Sequence, residues 1–259
     1  MKKVLFIAGL LFWVGLIKGQ IITDRPDQTE ASSTVAPGTL QIESGFTFQT
    51  EDIFLSMGNG LVANKQETQA LPNTLIRLGV INRLELRVVT QPELQRTLSD
   101  GEVVERNFGI ADLQLGFKVN ILEDREGRPE VGFLSHLILP TGTNGIGIPA
   151  NTYGVVNRLL VTHALNERMN LAYNLGYDYI SSSERYAFVS LSWATALTEK
   201  VGVYIEPYVS LDEWEWEVNA DAGFTYLVND DFQLDYSFGT GLTQGMNYHS
   251  LGASIRIPK

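Results

Sequence analysis

The sequence predicts an all-β fold, a transmembrane antiparallel up-and-down β-barrel of about 12 strands. Three observations predict it. Apolar and polar residues alternate along one segment after another, the period of a strand with unlike faces. The chain opens on an export-type leader, and no later apolar run approaches the roughly 20 residues of a membrane helix. The connections alternate between long and short. Only helices and closed barrels span lipid, because backbone polar groups find no water there. Helices are excluded, which leaves a soluble exported protein or a barrel.

The leader comes first. Lys2 and Lys3 precede fourteen apolar residues, Val4 to Ile17, and the small Gly19 follows. A charged start, a short apolar stretch and a small cleavage site make a secretory signal. A retained N-terminal anchor is the alternative. The reading divides the chain into a signal peptide (1–19), a polar segment (20–38) and a barrel (39–259).

The strands follow in order. The first, 39–50, sets Leu40, Ile42, Ser44, Phe46 and Phe48 against Gln41, Glu43, Gly45, Thr47 and Gln49. The same alternation places strands at 73–81, 84–90, 108–120, 130–139 and 153–164. Residues 169–179 set Met169, Leu171, Tyr173, Leu175, Tyr177 and Tyr179 against Asn170, Ala172, Asn174, Gly176 and Asp178. Strands at 186–197, 201–211, 216–228, 232–239 and 248–257 complete the set. Several reach ten residues or more, beyond the 5 or 6 usual in globular sheets and close to the 9 to 11 of a tilted membrane strand.

Alternation alone does not separate a soluble sandwich from a barrel. Three features favour the barrel. The apolar faces are almost free of charge. Aromatic residues sit near strand ends, at Tyr177, Tyr179, Trp214, Trp216, Tyr226 and Phe232, as girdles require. If the first strand rises from the periplasm, the outer connections hold about 22, 17, 13, 6, 4 and 8 residues and the inner ones about 2, 9, 4, 3 and 3. Asn82-Arg83, Asn166-Glu167 and Asn229-Asp230-Asp231 supply turn chemistry at the inner end. Closure also removes exposed sheet edges.

Composition trims the function classes. There is no cysteine, which excludes disulfides, thiol catalysis and thiolate-bound metal. The net charge is −11, and losing the leader leaves 16 basic against 30 acidic residues. Such a chain has no surplus to neutralise nucleic-acid phosphates.

Short motifs then align in order. They are Ile22-Thr23-Asp24-Arg25-Pro26-Asp27-Gln28-Thr29-Glu30, Gly38-Thr39-Leu40-Gln41-Ile42-Glu43-Ser44-Gly45-Phe46, Gly109 to Lys118, Leu139-Pro140-Thr141-Gly142 and Ser250 to Ile257. Together they resemble the outer-membrane barrel family catalogued as meta-pathway phenol-degradation proteins, often labelled simply transporters. The resemblance implies an outer-membrane barrel and a channel for small molecules, without fixing the substrate. The chain departs from a common barrel habit by ending Ile257-Pro258-Lys259 and not in an aromatic residue.

The predicted lumen face carries Glu43, Arg77, Glu85, Arg87, Asp112, Lys118, Arg158, Asp178, Glu206, Asp221, Asp235 and Arg256. Interleaved charges can pair into a structural ladder, line a pore and set its preference, or do both. Asp212, Glu213, Glu215 and Glu217 would form an acidic mouth favouring cations. Residues 20–37 are polar and unpatterned. They read either as a periplasmic tail or as a plug whose Asp24, Arg25, Asp27 and Glu30 pair with the wall. The glycine-rich stretch 142–149 reads as a flexible outer loop.

His136, His163 and His249 lack metal-ligand spacing. His249 and Ser250 are neighbours on one strand and point to opposite faces, so they cannot pair. No catalytic residue, metal or cofactor is expected. The expected function is passive passage of a small solute through a charge-lined lumen, in contact with outer-membrane lipid. Two alternatives stand beside it: a lipid-modifying barrel enzyme, and a plugged barrel with a structural or adhesive role.

Overall fold

The computed structural model describes residues 21–259 apart from 58–59, 126, 181–183 and 213–214. The leader, Glu213 and Trp214 therefore lie outside the described residues. Fourteen strands run β1 (Leu40–Met57), β2 (Gly60–Ile81), β3 (Leu84–Thr90), β4 (Pro92–Ser99), β5 (Glu102–Ile110), β6 (Gln114–Leu122) and β7 (Glu130–Ile138). They continue β8 (Gly154–Asn166), β9 (Met169–Tyr179), β10 (Arg185–Ala196), β11 (Val201–Asp212), β12 (Glu215–Asn229), β13 (Phe232–Gly241) and β14 (Met246–Ile257). Helices are absent among the described residues.

All neighbouring strands are antiparallel, and β1 pairs with both β2 and β14, which closes the sheet. β3 and β4 form one stave interrupted at Gln91, since both pair with β2. β5 and β6 form the next, interrupted at residues 111–113. The barrel therefore has the twelve staves that the alternation predicts.

The wall is inside-out relative to a soluble protein. Inward Glu43, Glu85 and Glu206 are 0% exposed, whereas outward Phe48 and Leu251 are 50% and 60% exposed. The apolar face belongs to lipid and the polar face to the lumen. Tyr177, Tyr179, Trp216 and Tyr226 are exposed near strand ends, where their rings can span both environments.

Two long outer connections differ from expectation. Residues 51–72 are mostly strand: β1 and β2 stay paired from Leu40 and Leu78 out to Met57 and Gly60. Residues 91–107 are the β4–β5 hairpin, turning at Asp100 and Gly101, both at positive φ. Two-residue hairpin turns favour that geometry. Strict apolar alternation lapses in these stretches although the ladder continues.

The stretch 142–149 is also pinned and not free. Asp112 accepts from the backbone N–H of Gly142 (2.7 Å) and of Ile148 (2.6 Å). The Thr143 N–H reaches the Ile110 carbonyl at 2.9 Å.

Candidate functional site

The polar segment lies inside the barrel. It leaves the wall at Gly38, whose N–H donates to the Gly79 carbonyl at 2.8 Å, and the Gly79 N–H donates to the Thr39 carbonyl at 3.0 Å. From there it crosses the lumen and returns, so that the Ile22 carbonyl accepts from Gln41 Nε2 at 2.8 Å.

The wall presents unlike charge on its two sides. On one side Arg77 of β2 stands directly opposite Arg87 of β3, and Glu85 opposite Lys118 of β6. Like charges facing each other across a ladder repel, so the arginine pair needs counterions. Glu85 bonds both arginines, at 2.8 and 2.9 Å, and Glu43 bonds Arg77 at 2.8 Å. The crossing segment supplies the remainder. Asp24 lies 3.1 Å from Arg77, 2.6 Å from Arg87 and 2.7 Å from Lys118. Its backbone N–H donates to Glu43 at 2.9 Å. Glu30 adds a 2.8 Å pair with Arg87. Burial opposes charge on Asp24, but Arg77, Lys118 and Arg87 together hold its carboxyl well below the usual carboxylate range.

The other side is acidic. Glu206 of β11 and Asp221 of β12 are direct cross-strand partners. The segment meets them with donors: the Gln28 N–H gives Glu206 a 2.6 Å bond and the Thr29 hydroxyl bonds the same carboxylate. Tyr248 donates to Asp221 at 2.6 Å. Asp27 accepts from Ser192 at 3.1 Å. Burial pushes the Asp27 carboxyl well above its usual range, and Glu206 and Asp221 add to the effect. Between the two sides, Arg25 pairs with Asp235 (3.3 Å) and donates to Ser250 (2.8 Å).

The structure thus gathers Glu43, Arg77, Glu85, Arg87 and Lys118 around Asp24 and Glu30, and it sets Glu206, Asp221 and Asp235 against Asp27 and Arg25. Arg158 and Asp178 stay apart from the segment as a bidentate pair, with Arg158 4.2 Å above the Phe188 ring. Two further residues of the predicted lumen face bond to neighbouring backbone and rim groups and not to the crossing segment. Asp112 falls at the 111–113 interruption and turns both carboxylate oxygens to the loop backbone. Arg256 lies at the inner rim, 2.8 Å from Asp231, because the last residues of β14 reach the 229–231 turn. Ser250 faces inward, while His249 bonds the exposed Tyr236 hydroxyl at 2.8 Å. Buried His136 accepts from Arg87 Nε at 3.0 Å, so its Nδ1 carries the proton toward Gln114 at 3.1 Å.

Above the segment a cavity of about 880 Å³ opens toward the outer end. Residues from Asp24 to Gln28 and Glu30 form its floor, and Asp212, Glu215 and Glu217 lie on its rim. One wall is apolar, a feature missed in the sequence: Tyr208, Met246 and Tyr248 pack with Phe188, and Tyr186 joins them. Strand parity carried the signal. Ser190 and Ser192 face inward on β10, and Val189, Leu191 and Trp193 outward, so Tyr186 and Phe188 must also face the lumen.

A family model described as "Putative MetA-pathway of phenol degradation" matches residues 23–257. Among solved structures, an outer membrane channel from Pseudomonas putida F1 superposes with a TM-score of 0.71 at 14% identity, covering 87% of this chain and 98% of that one. The KdgM porin, in complex with disordered oligogalacturonate, gives 0.53 at 8% identity, covering 83% and 98%. The translocator domain of autotransporter NalP from Neisseria meningitidis gives 0.52 at 11% identity, covering 86% and 90%. At such identities the likeness is one of fold, that of bacterial outer-membrane β-barrels. No curated protein sequence matches.

Proposed function

The chain belongs to the family described by that model, and from this membership we propose that it is an outer-membrane channel for small solutes whose lumen is gated by its own residues 21–39. Residues 1–19 direct export and are then removed. Solutes diffuse from the acidic outer mouth into the cavity and pass when the segment yields. The wall charges Glu43, Arg77, Glu85, Arg87, Lys118, Glu206, Asp221 and Asp235 then serve two states. They hold the segment when it is docked, and they line the aqueous path when it is not. This reading needs no catalytic residue.

The observation that carries it is the position of Asp24, buried among Arg77, Arg87 and Lys118 beneath an open cavity. A carboxylate that neutralises three buried cations favours the docked state without a covalent tie. The test is to delete residues 21–36 and record single channels in planar bilayers, with heat-modifiable electrophoretic mobility confirming a folded barrel. Conductance is expected to rise severalfold. An unchanged conductance in a folded barrel removes the gating role.

A further inference from the structure

We propose that the outer cavity is a binding site for an organic ammonium ion, a protonated or quaternary amine bearing an apolar group. Its volume of about 880 Å³ is that of a site for a small organic molecule. Three properties of its lining converge on this class.

The first is the apolar wall. Tyr186, Tyr208, Met246 and Tyr248 line the cavity, and Phe188 backs Tyr208 with ring centroids 6.4 Å apart. Elsewhere the described lumen residues are mostly hydrophilic, so these side chains form a local shelf for an apolar group. Aromatic faces also attract cations, ammonium ions included.

The second is charge. The basic groups lining the cavity, Arg25 and Arg87, are already engaged by Asp235 and by Asp24, Glu30 and Glu85. Glu51, Glu184, Asp212, Glu215 and Glu217 also line it. The cavity therefore has surplus negative potential. An anion is repelled, a neutral molecule gains the shelf alone, and an organic cation gains both.

The third property separates an organic cation from a metal ion. Metal ions require converging oxygens at short range. The described residues contain no group of three acidic or histidine side chains placed to hold one. The rim carboxylates are dispersed, which suits a bulky, diffuse cation, and the aromatic wall offers nothing to a hydrated metal.

Binding stands on the cavity alone, whereas any role in passage rests on the channel reading above. Calorimetry on the purified full-length barrel compares three probes of similar shape: phenethylammonium, 2-phenylethanol and phenylacetate. The ammonium should bind at least tenfold more tightly than the alcohol and weaken with salt, and phenylacetate should not bind. Tyr208→Leu should weaken it about five- to thirtyfold, and Tyr208→Phe, which keeps the ring, should not. Joint Glu51→Gln and Glu217→Gln substitution should narrow the ammonium-to-alcohol ratio. Equal binding of the alcohol, preference for the carboxylate, or equal loss in Tyr208→Leu and Tyr208→Phe overturns the proposal. Liposome flux is read separately. Selective binding without flux keeps the site and removes the channel, whereas flux without selective binding does the reverse.

Discussion

Gly79 and Ala36 touch where the segment leaves the wall: a side chain on Gly79 would collide with the Ala36 carbonyl oxygen. Gly45 and Gly252, cross-strand partners, leave the same kind of space for the Arg25 guanidinium, and a Cβ on Gly132 would sit 2.6 Å from the Ser32 carbonyl oxygen. These inward glycines trace the footprint of residues 21–38. They serve close approach, because the lumen has no spare volume there.

Gly79→Val should therefore displace the segment at its exit while leaving the ladder intact, since valine suits a strand. The conductance should move toward that of the chain lacking residues 21–36. In the deleted chain the same substitution should add nothing. An equal effect of Gly79→Val in both backgrounds would show that the valine acts on the wall and not on the segment.

Asp24 is the electrostatic centre of docking. Asp24→Asn is nearly isosteric but leaves Arg77, Arg87 and Lys118 short of one negative charge in a buried setting. Breaking a buried ionic cluster in this way costs about 3–5 kcal/mol. The loss should fall mainly on the docked state, seen as frequent opening events in recordings. Combining it with Arg87→Gln should cost less than the two changes summed, because both act on one network.

Docking should also depend on pH through the acidic side. Burial, reinforced by Glu206 and Asp221 and opposed by the Ser192 hydrogen bond, makes Asp27 bind its proton more tightly when docked than when free. A group whose docked value is raised favours docking in acid, and that contribution is lost as pH rises from the free value through the docked one. Full-length channels should open more often as the pH is raised. Asp27→Asn, which cannot ionise, should flatten the response. A response that survives the substitution assigns the pH dependence to other groups.

The barrel itself was legible because lipid and lumen impose opposite demands on alternate residues, as Phe46 and Phe48 against Glu43 and Gly45 record. The β4–β5 hairpin was not, since residues 92–107 carry no strict alternation of apolar and polar residues. Its Asp100-Gly101 turn was the remaining signal. The wall charges were legible as a set, but their pairing was not. Asp24 meets Lys118 across 94 positions of sequence, and no local pattern encodes such a contact. Parity places Asp112 on the inner face, but its bonds to the 142–149 backbone are equally non-local and left no trace in the sequence.

Those bonds yield the last prediction. Asp112 holds the loop through two charge-assisted bonds, to the N–H groups of Gly142 and Ile148. Hydrogen bonds to a charged group contribute about 1.5–3 kcal/mol each. The loop lines a second pocket of about 440 Å³ with Ile146, Ile148 and Pro149, against Tyr186 of the aromatic wall. Asp112→Ala should free the loop and let it sample the approach to the outer cavity. The chain has no cysteine, so a single Asn144→Cys substitution admits a spin label without a background signal. The label should be restricted in the otherwise unaltered chain and should gain nanosecond mobility when Asp112→Ala is added. Asp112→Asn keeps one acceptor oxygen and should give an intermediate spectrum. Equal mobility with and without Asp112 would mean that the Thr143 contacts to Ile110 hold the loop unaided.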